Sequence, residues 1–375
     1  MKPADLIDHS GLNLMPVLRI AFTKTLESWM PPLRHLPVPV RFRASGALRA
    51  WLAVFDALPS TAGARSAIAD PAVAPQSARY ELMMALEPHI GVPAHDSQMV
   101  VPMVHTLLST SSDMLAFWLR PSAIYEPTLP LGGLLGGIDM SQDLPMQLLQ
   151  PPIRTLCIIP PWQQRHLCAN ASAIVVFAHD APLVQAPARR TLTMLALRPN
   201  ADGDTSDELS LPVKDETATL ATTLARAAEA SRRNPNPVGF KGEDVDSMVA
   251  DWKLVLDYTV KVLLYLNLED ATLRRTQPYT DAPKEWPGLG RRKREARLAE
   301  VEQLYDRYIV GPTSVADWAG EHAGQLGAHG QLSAHWRRGH FRLQAHGPQA
   351  SLRKVMFIMP TIVRADRLGT EATTQ

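Results

Sequence analysis

Between Ser333 and Pro360 the chain reads SAHWRRGHFRLQAHGPQASLRKVMFIMP. If His335–Gln344 is extended, Trp336, Arg338, His340 and Arg342 share one face, because strand side chains alternate sides. Phe341 and Leu343 fall on the other face, with His335, Arg337 and Gly339. From His322 to Ala365 there are six Arg or Lys and no acidic residue. Guanidinium groups make charge-assisted, often bidentate hydrogen bonds to phosphate or carboxylate. The chemistry on offer is therefore capture of an anionic partner. RNA fits, with arginines on phosphates and Trp336 as a stacking surface. An acidic peptide or another protein fits equally, since Arg and Trp are favoured interface anchors. A third reading pairs the same arginines with carboxylates from a helix near Asp246. Arg353 and Lys354 lie close by in the chain, and Arg291-Arg292-Lys293-Arg294 would extend the basic set if folded nearby. A bulge at Gly339 would scramble the two faces.

Other chemistry is weaker. Five of the twelve histidines fall at His322, His329, His335, His340 and His346. No Cys, Asp or Glu accompanies the last four, and His335 and His340 alternate onto opposite faces, so no metal site is expected. His335 and His340 beside Arg338 would supply acid, base and phosphate contact for metal-independent RNA cleavage. The cysteines, Cys157 and Cys168, could pair as nucleophiles with His166 or His179; beside strands they read better as inert small hydrophobes. Asp180 and Glu208 are too scattered to hold a cation. Asn200–Asp207 lacks the closing glutamate of a calcium loop and reads as a surface turn. Gly132-Gly133 and Gly136-Gly137 have no following Lys-Ser/Thr and read as loop, not phosphate cradle.

The elements that would position these residues follow from the pattern. The 375 residues suffice for one large core or two modest domains, and 38 basic against 37 acidic residues exclude a generic polyanion binder. Two cysteines make no disulfide framework, no leader is evident, and no segment approaches about 18 uncharged apolar residues. The expectation is a cytosolic protein. Helices are predicted over Leu14–Met30, Ala44–Leu58, Ala78–Glu87 and Ser97–Leu119, with residues 59–77, rich in Ala, Pro and Ser, as a linker. Asp143–Gln150 suggests a short helix. Arg154–Ile159, Ser172–His179, Arg190–Arg198 and Glu208–Val213 read as an antiparallel meander. Helices follow over Glu216–Arg232 and Asp246–Asn267, where Trp252 belongs to an apolar stripe. A last helix opens at Arg291, with Leu298, Val301, Leu304 and Tyr305 inward, and Tyr308–Val310 is a further strand. Its basic start opposes the helix dipole. Leu352–Met359, with its unbroken apolar run, reads as a strand buried on both faces and hairpinned to His335–Gln344.

HWRRGHFRLQAHGPQASLRKVMFIMPTIV (His335–Val363) resembles the C-terminal signature of the second type V-A anti-CRISPR family, carried by phages and plasmids. SAIYEPTLP (Ser122–Pro130), LPMQLLQPPIRTLCIIPP (Leu144–Pro161) and DWKLVLDYTVKVLLYLN (Asp251–Asn267) are similar to its middle region, so the likeness covers about residues 120–365. It implies inhibition of CRISPR immunity during effector synthesis: recognition of the nascent N-terminal peptide of the type V-A effector nuclease, followed by loss of its message. No peptide-contacting residue is carried over.

The fold expected is α+β: a helical region over 1–118, then an α+β unit over 119–368 whose antiparallel or mixed sheet is packed by long helices. The site expected is Trp336, Arg338, His340, Arg342, Arg353, Lys354 and Arg291–Arg294, in a binding protein without cofactor. Its partner is the nascent effector peptide, with ribosome or message nearby. The alternative is an RNA-binding or RNA-cleaving protein using the His335–Arg342 face.

Overall fold

The structure, a computed structural model, describes residues 3–91, 97–138, 145–180, 190–200, 203–219, 221–223, 225–226, 229, 245–313, 335–337, 340–358 and 361–363. Its first third is helical: α1 (Pro3–His9), α2 (Pro16–Ser28), α3 (Val38–Ala44), α4 (Ala47–Ala57), α5 (Ala62–Ala69), α6 (Pro75–Leu86) and α7 (Ser97–Leu119). Pro16 and Pro75 open their helices, where a missing N–H costs nothing. A two-residue pair, β1 (Asn13–Leu14) with β2 (Ile90–Gly91), ties the layer's ends together.

Residues 59–77, expected as a linker, are instead a 3-10 turn at Pro59–Thr61, α5 and the start of α6. Ala64, Ala67 and Ile68 are buried in the same core as Phe22, Trp51 and Phe117. Alanine-rich composition meant close packing against neighbouring helices, not solvent.

After β3 (Ser122–Pro127) and α8 (Leu129–Gly136) come β4 (Thr155–Ile158), β5 (Ala173–His179), β6 (Arg190–Asn200) and β7 (Gly203–Val213). They are followed by α9 (Val245–Leu266), β8 (Leu273–Thr276), α10 (Pro278–Asp281), α11 (Arg291–Val301) and β9 (Arg307–Val310). These strands form one seven-stranded sheet in the order β7-β6-β5-β4-β3-β9-β8. The expected meander β4 to β7 is there, antiparallel throughout. β3 lies parallel to both β4 and β9, so the sheet is mixed and the class α+β.

Two cores sandwich this sheet. Ala173, Val175 and Phe177 of β5 face the helical layer, while Ile174 and Val176 face α9, which contributes Trp252, Val255, Leu256, Val260 and Leu263. A strand covered on both sides needs an unbroken apolar run, and AIVVFAH supplies it. The first core thus joins residues from Ile7 to Leu197 across position 118. Of the helix expected over Asp143–Gln150, the described part, from Pro145, holds a 3-10 turn at Met146–Leu148, and residues 143 and 144 lie outside the described residues. The expected Glu216–Arg232 helix lies partly outside the described residues; where described, it is helical from Ala221. In α11 and beyond, Val301 is buried, but Leu304 lies after the helix end and is exposed.

Candidate partner-binding surface

The C-terminal segment holds four further strands: β10 (His335–Arg337), β11 (His340–His346), β12 (Leu352–Ile358) and β13 (Thr361–Val363). β10 pairs with β13 and β11 with β12, both antiparallel. His335 pairs with Val363 and His340 with Ile358. Gly339, where a bulge would scramble the two faces, lies outside the described residues. The turn begins at Gly347, where φ is +77° and an added Cβ would meet Leu352 at 3.0 Å. Glycine suits that left-handed backbone.

Alternation gives the β11/β12 hairpin two unlike sides. Phe341 and Phe357 face each other across the ladder with ring centroids 5.2 Å apart, and with Val355 they pack on the second core. The opposite register carries Arg342, Gln344 and His346, all exposed, with Lys354 and Met356 half-buried beside them. β12 was expected to be buried on both faces; instead Val355 to Ile358 are half-buried, because only one side meets the core.

The nominated residues do not all converge. Arg342 stands opposite Met356, and Lys354 opposite Gln344, on that outer register. Lys354 Nζ lies 3.6 Å from Glu269 Oε2, just beyond α9, so a carboxylate from elsewhere does approach this acid-free segment. With Glu269 85 % exposed the pair contributes little. Arg353 faces Ala345, Trp336 faces Ile362 and His340 faces Ile358. Arg338, His322 and His329 lie outside the described residues. Arg291, Arg292, Lys293 and Arg294 form the exposed first turn of α11, and Arg291 Nε donates to Glu295 at 2.8 Å within that helix.

Two polar clusters were not legible in advance. Arg79 donates to Asp113 and Glu208, both at 2.8 Å, joining α6, α7 and β7. Gln76 adds bonds to Glu208 and Ser210, and Thr193 continues the network to His179. Burial pushes Asp113 up, Arg79 pulls it down and Glu208 raises it, leaving it at about 6. For Arg79, burial lowers the affinity for its proton, but Asp113 and Glu208 more than reverse this. Next to His179 lies a cleft of about 290 Å³ lined by Gln150, Arg154, Asp180, Arg190 and Glu216. Arg154 pairs with Asp180 at 2.7 Å, and Arg190 grips Glu216 bidentately at 2.8 and 2.9 Å. Asp180 and Glu208 thus serve arginines.

Both cysteines are buried and free, and burial pushes their thiols up, Cys168 to about 12. Among the described residues no three His, Cys, Asp or Glu are placed to hold a metal ion, and no helix is long and apolar enough to cross a membrane.

A family model, AcrVA2-like, the anti-CRISPR type V subtype A2 family, matches residues 125–365. The chain belongs to that family. The match to the AcrVA2-like family opens in β3 and ends just past β13, so it takes in the sheet, α9 and the hairpin but leaves out α1 to α7. The crystal structure of AcrVA2 is similar to the chain with a TM-score of 0.44 and 12 % identity, covering 83 % of this chain and 97 % of that one. No curated protein matches the chain.

Proposed function

We propose that this anti-CRISPR type V-A family member recognises the nascent N-terminal peptide of a type V-A effector nuclease and lowers effector synthesis through loss of the message. The partner meets the outer register of the C-terminal hairpin, Arg342 and Lys354 with His340, extended by Trp336 and Arg338. Arg353, opposite Ala345, falls on the register of Phe341 and Phe357 and is left out of the set. The observation that carries this reading is the hairpin's sidedness. Phe341, Val355 and Phe357 are spent on the core, which leaves Arg342, Gln344 and His346 exposed on the other register. Met356 directly opposite Arg342 makes the strip mixed, basic with apolar. Such a strip suits a peptide, whose side chains alternate in kind, better than a uniform phosphate backbone.

The test is made in cells carrying the effector gene. Expression of this protein should lower effector message several-fold and co-purify ribosomes bearing the effector's first residues. An effector whose N-terminal segment is replaced should escape both effects. Loss of message that ignores the N-terminal replacement, or capture of free RNA in place of nascent chains, would contradict the peptide reading.

A further inference from the structure

The far edge of the sheet offers a second surface of different kind. β8, reading Leu-Arg-Arg-Thr, pairs only with β9 among the described residues, antiparallel, with Leu273 opposite Val310 and Arg275 opposite Tyr308. Gly311 N–H donates to Thr272 C=O at 2.8 Å. In an antiparallel ladder, hydrogen-bonded and non-bonded pairs alternate. The Thr272/Gly311 pair is bonded, so Arg274 and Thr276 also spend their backbone groups on β9. The N–H and C=O of Leu273 and Arg275 then point away from the sheet. Leu273, Arg274 and Arg275 are all exposed, Leu273 by 43 %. A row of outward backbone groups is a template for another strand.

Charge selects what can pair there. The Arg275 guanidinium lies over the Tyr308 ring, 5.8 Å from its centroid, and among the described residues Arg274 has no acidic partner. Symmetric pairing with a second copy would set Arg274 against its own equivalent, and like charges directly opposite are destabilising. The same arginines that guard the edge against self-pairing favour an acidic strand.

We propose that β8 binds an extended acidic peptide segment by antiparallel strand addition. Two of its residues exchange four backbone hydrogen bonds with Leu273 and Arg275. Read from its N-terminus, the segment places acidic residues opposite Arg275 and Arg274, then an apolar residue opposite Leu273. This edge is a different strand from the hairpin's, and its test uses no effector sequence.

The probe is the synthetic peptide acetyl-Thr-Val-Glu-Glu-Ile-Thr-amide, titrated against the full chain by calorimetry. Binding is expected, weakening with salt. Leu273→Pro deletes one outward N–H while leaving the β8–β9 bonds alone, as proline at a solvent-facing edge position does. It should weaken binding about tenfold or more, and Arg274→Glu should do the same. A peptide N-methylated at the residue facing Arg275 should fail on the unaltered protein, which covers the case of a variant that does not fold. No binding by the native chain overturns the proposal. So does binding indifferent to N-methylation, which would be charge attraction alone, or a dimer that forms through β8.

Discussion

Arg79 shows how one side chain holds two layers together. It reaches from α6 to Asp113 on α7 and to Glu208 on the sheet, and Asp113 is almost wholly buried. Replacing Arg79 by Met strands that carboxylate and should cost about 3–5 kcal/mol at neutral pH, read from denaturant midpoints. Asp113 also sets a pH dependence. Its affinity for a proton is higher folded, at about 6, than its ordinary value of 3.8. A group shifted upward adds stability while protonated, so this contribution is full below about pH 4 and fades as pH rises through about 6. Asp113→Asn should flatten that stretch of the stability curve; an unchanged slope would assign it to other groups. Trp252 is a simpler case, 6 % exposed on α9, and Trp252→Ala should lower stability by about 3–5 kcal/mol. Its burial was legible because it recurs with Val255 and Leu256 at helical spacing. The Arg79 network was not, since its members come from residues 76 to 210 and no local pattern announces an ion pair between distant elements.

Among elements, the long periodic ones were the legible ones. α9 and the β4 to β7 meander carry apolar repeats that only one conformation can bury. β3 and β8 were missed for opposite reasons. β3 is short, ends in Pro127 and runs straight into α8, while β8 is an edge strand with too little apolar surface to show alternation. The 59–77 stretch misled because small residues serve linkers and tight helix contacts alike. It should now resist limited proteolysis at α5, since Ile68 is fully buried there. Early cleavage between residues 62 and 69 would contradict that packing. The hairpin's inward side gives another expectation. Phe357→Ser should speed hydrogen exchange across residues 340–358 while leaving α9 and β5 protected. Uniform loss of protection would mean the hairpin is not a separate cooperative unit.

At the scale of the molecule, one sheet with a core on each face sets the expectation that the helical region and the sheet do not part cleanly. Removing residues 1–118 would bare Ile124, Val175, Phe177, Leu195 and Leu197 at once. That fragment should aggregate or bind a hydrophobic dye, whereas a soluble, sharply melting fragment would show two independent units. The same arrangement leaves the C-terminal hairpin with one register spent on the second core and the other carrying exposed Arg342, Gln344 and His346, and recognition is proposed there. The direct test replaces Arg338 and Arg342 together by Gln and compares thermal unfolding with capture of the effector's N-terminal peptide. Arg342 is exposed, and an exposed arginine adds little to stability. The melting temperature should therefore stay nearly unchanged while capture is lost, and at moderate salt the native protein should bind more weakly than at low salt. A double variant that unfolds early, or one that captures the peptide at full strength, would contradict the assignment of this face.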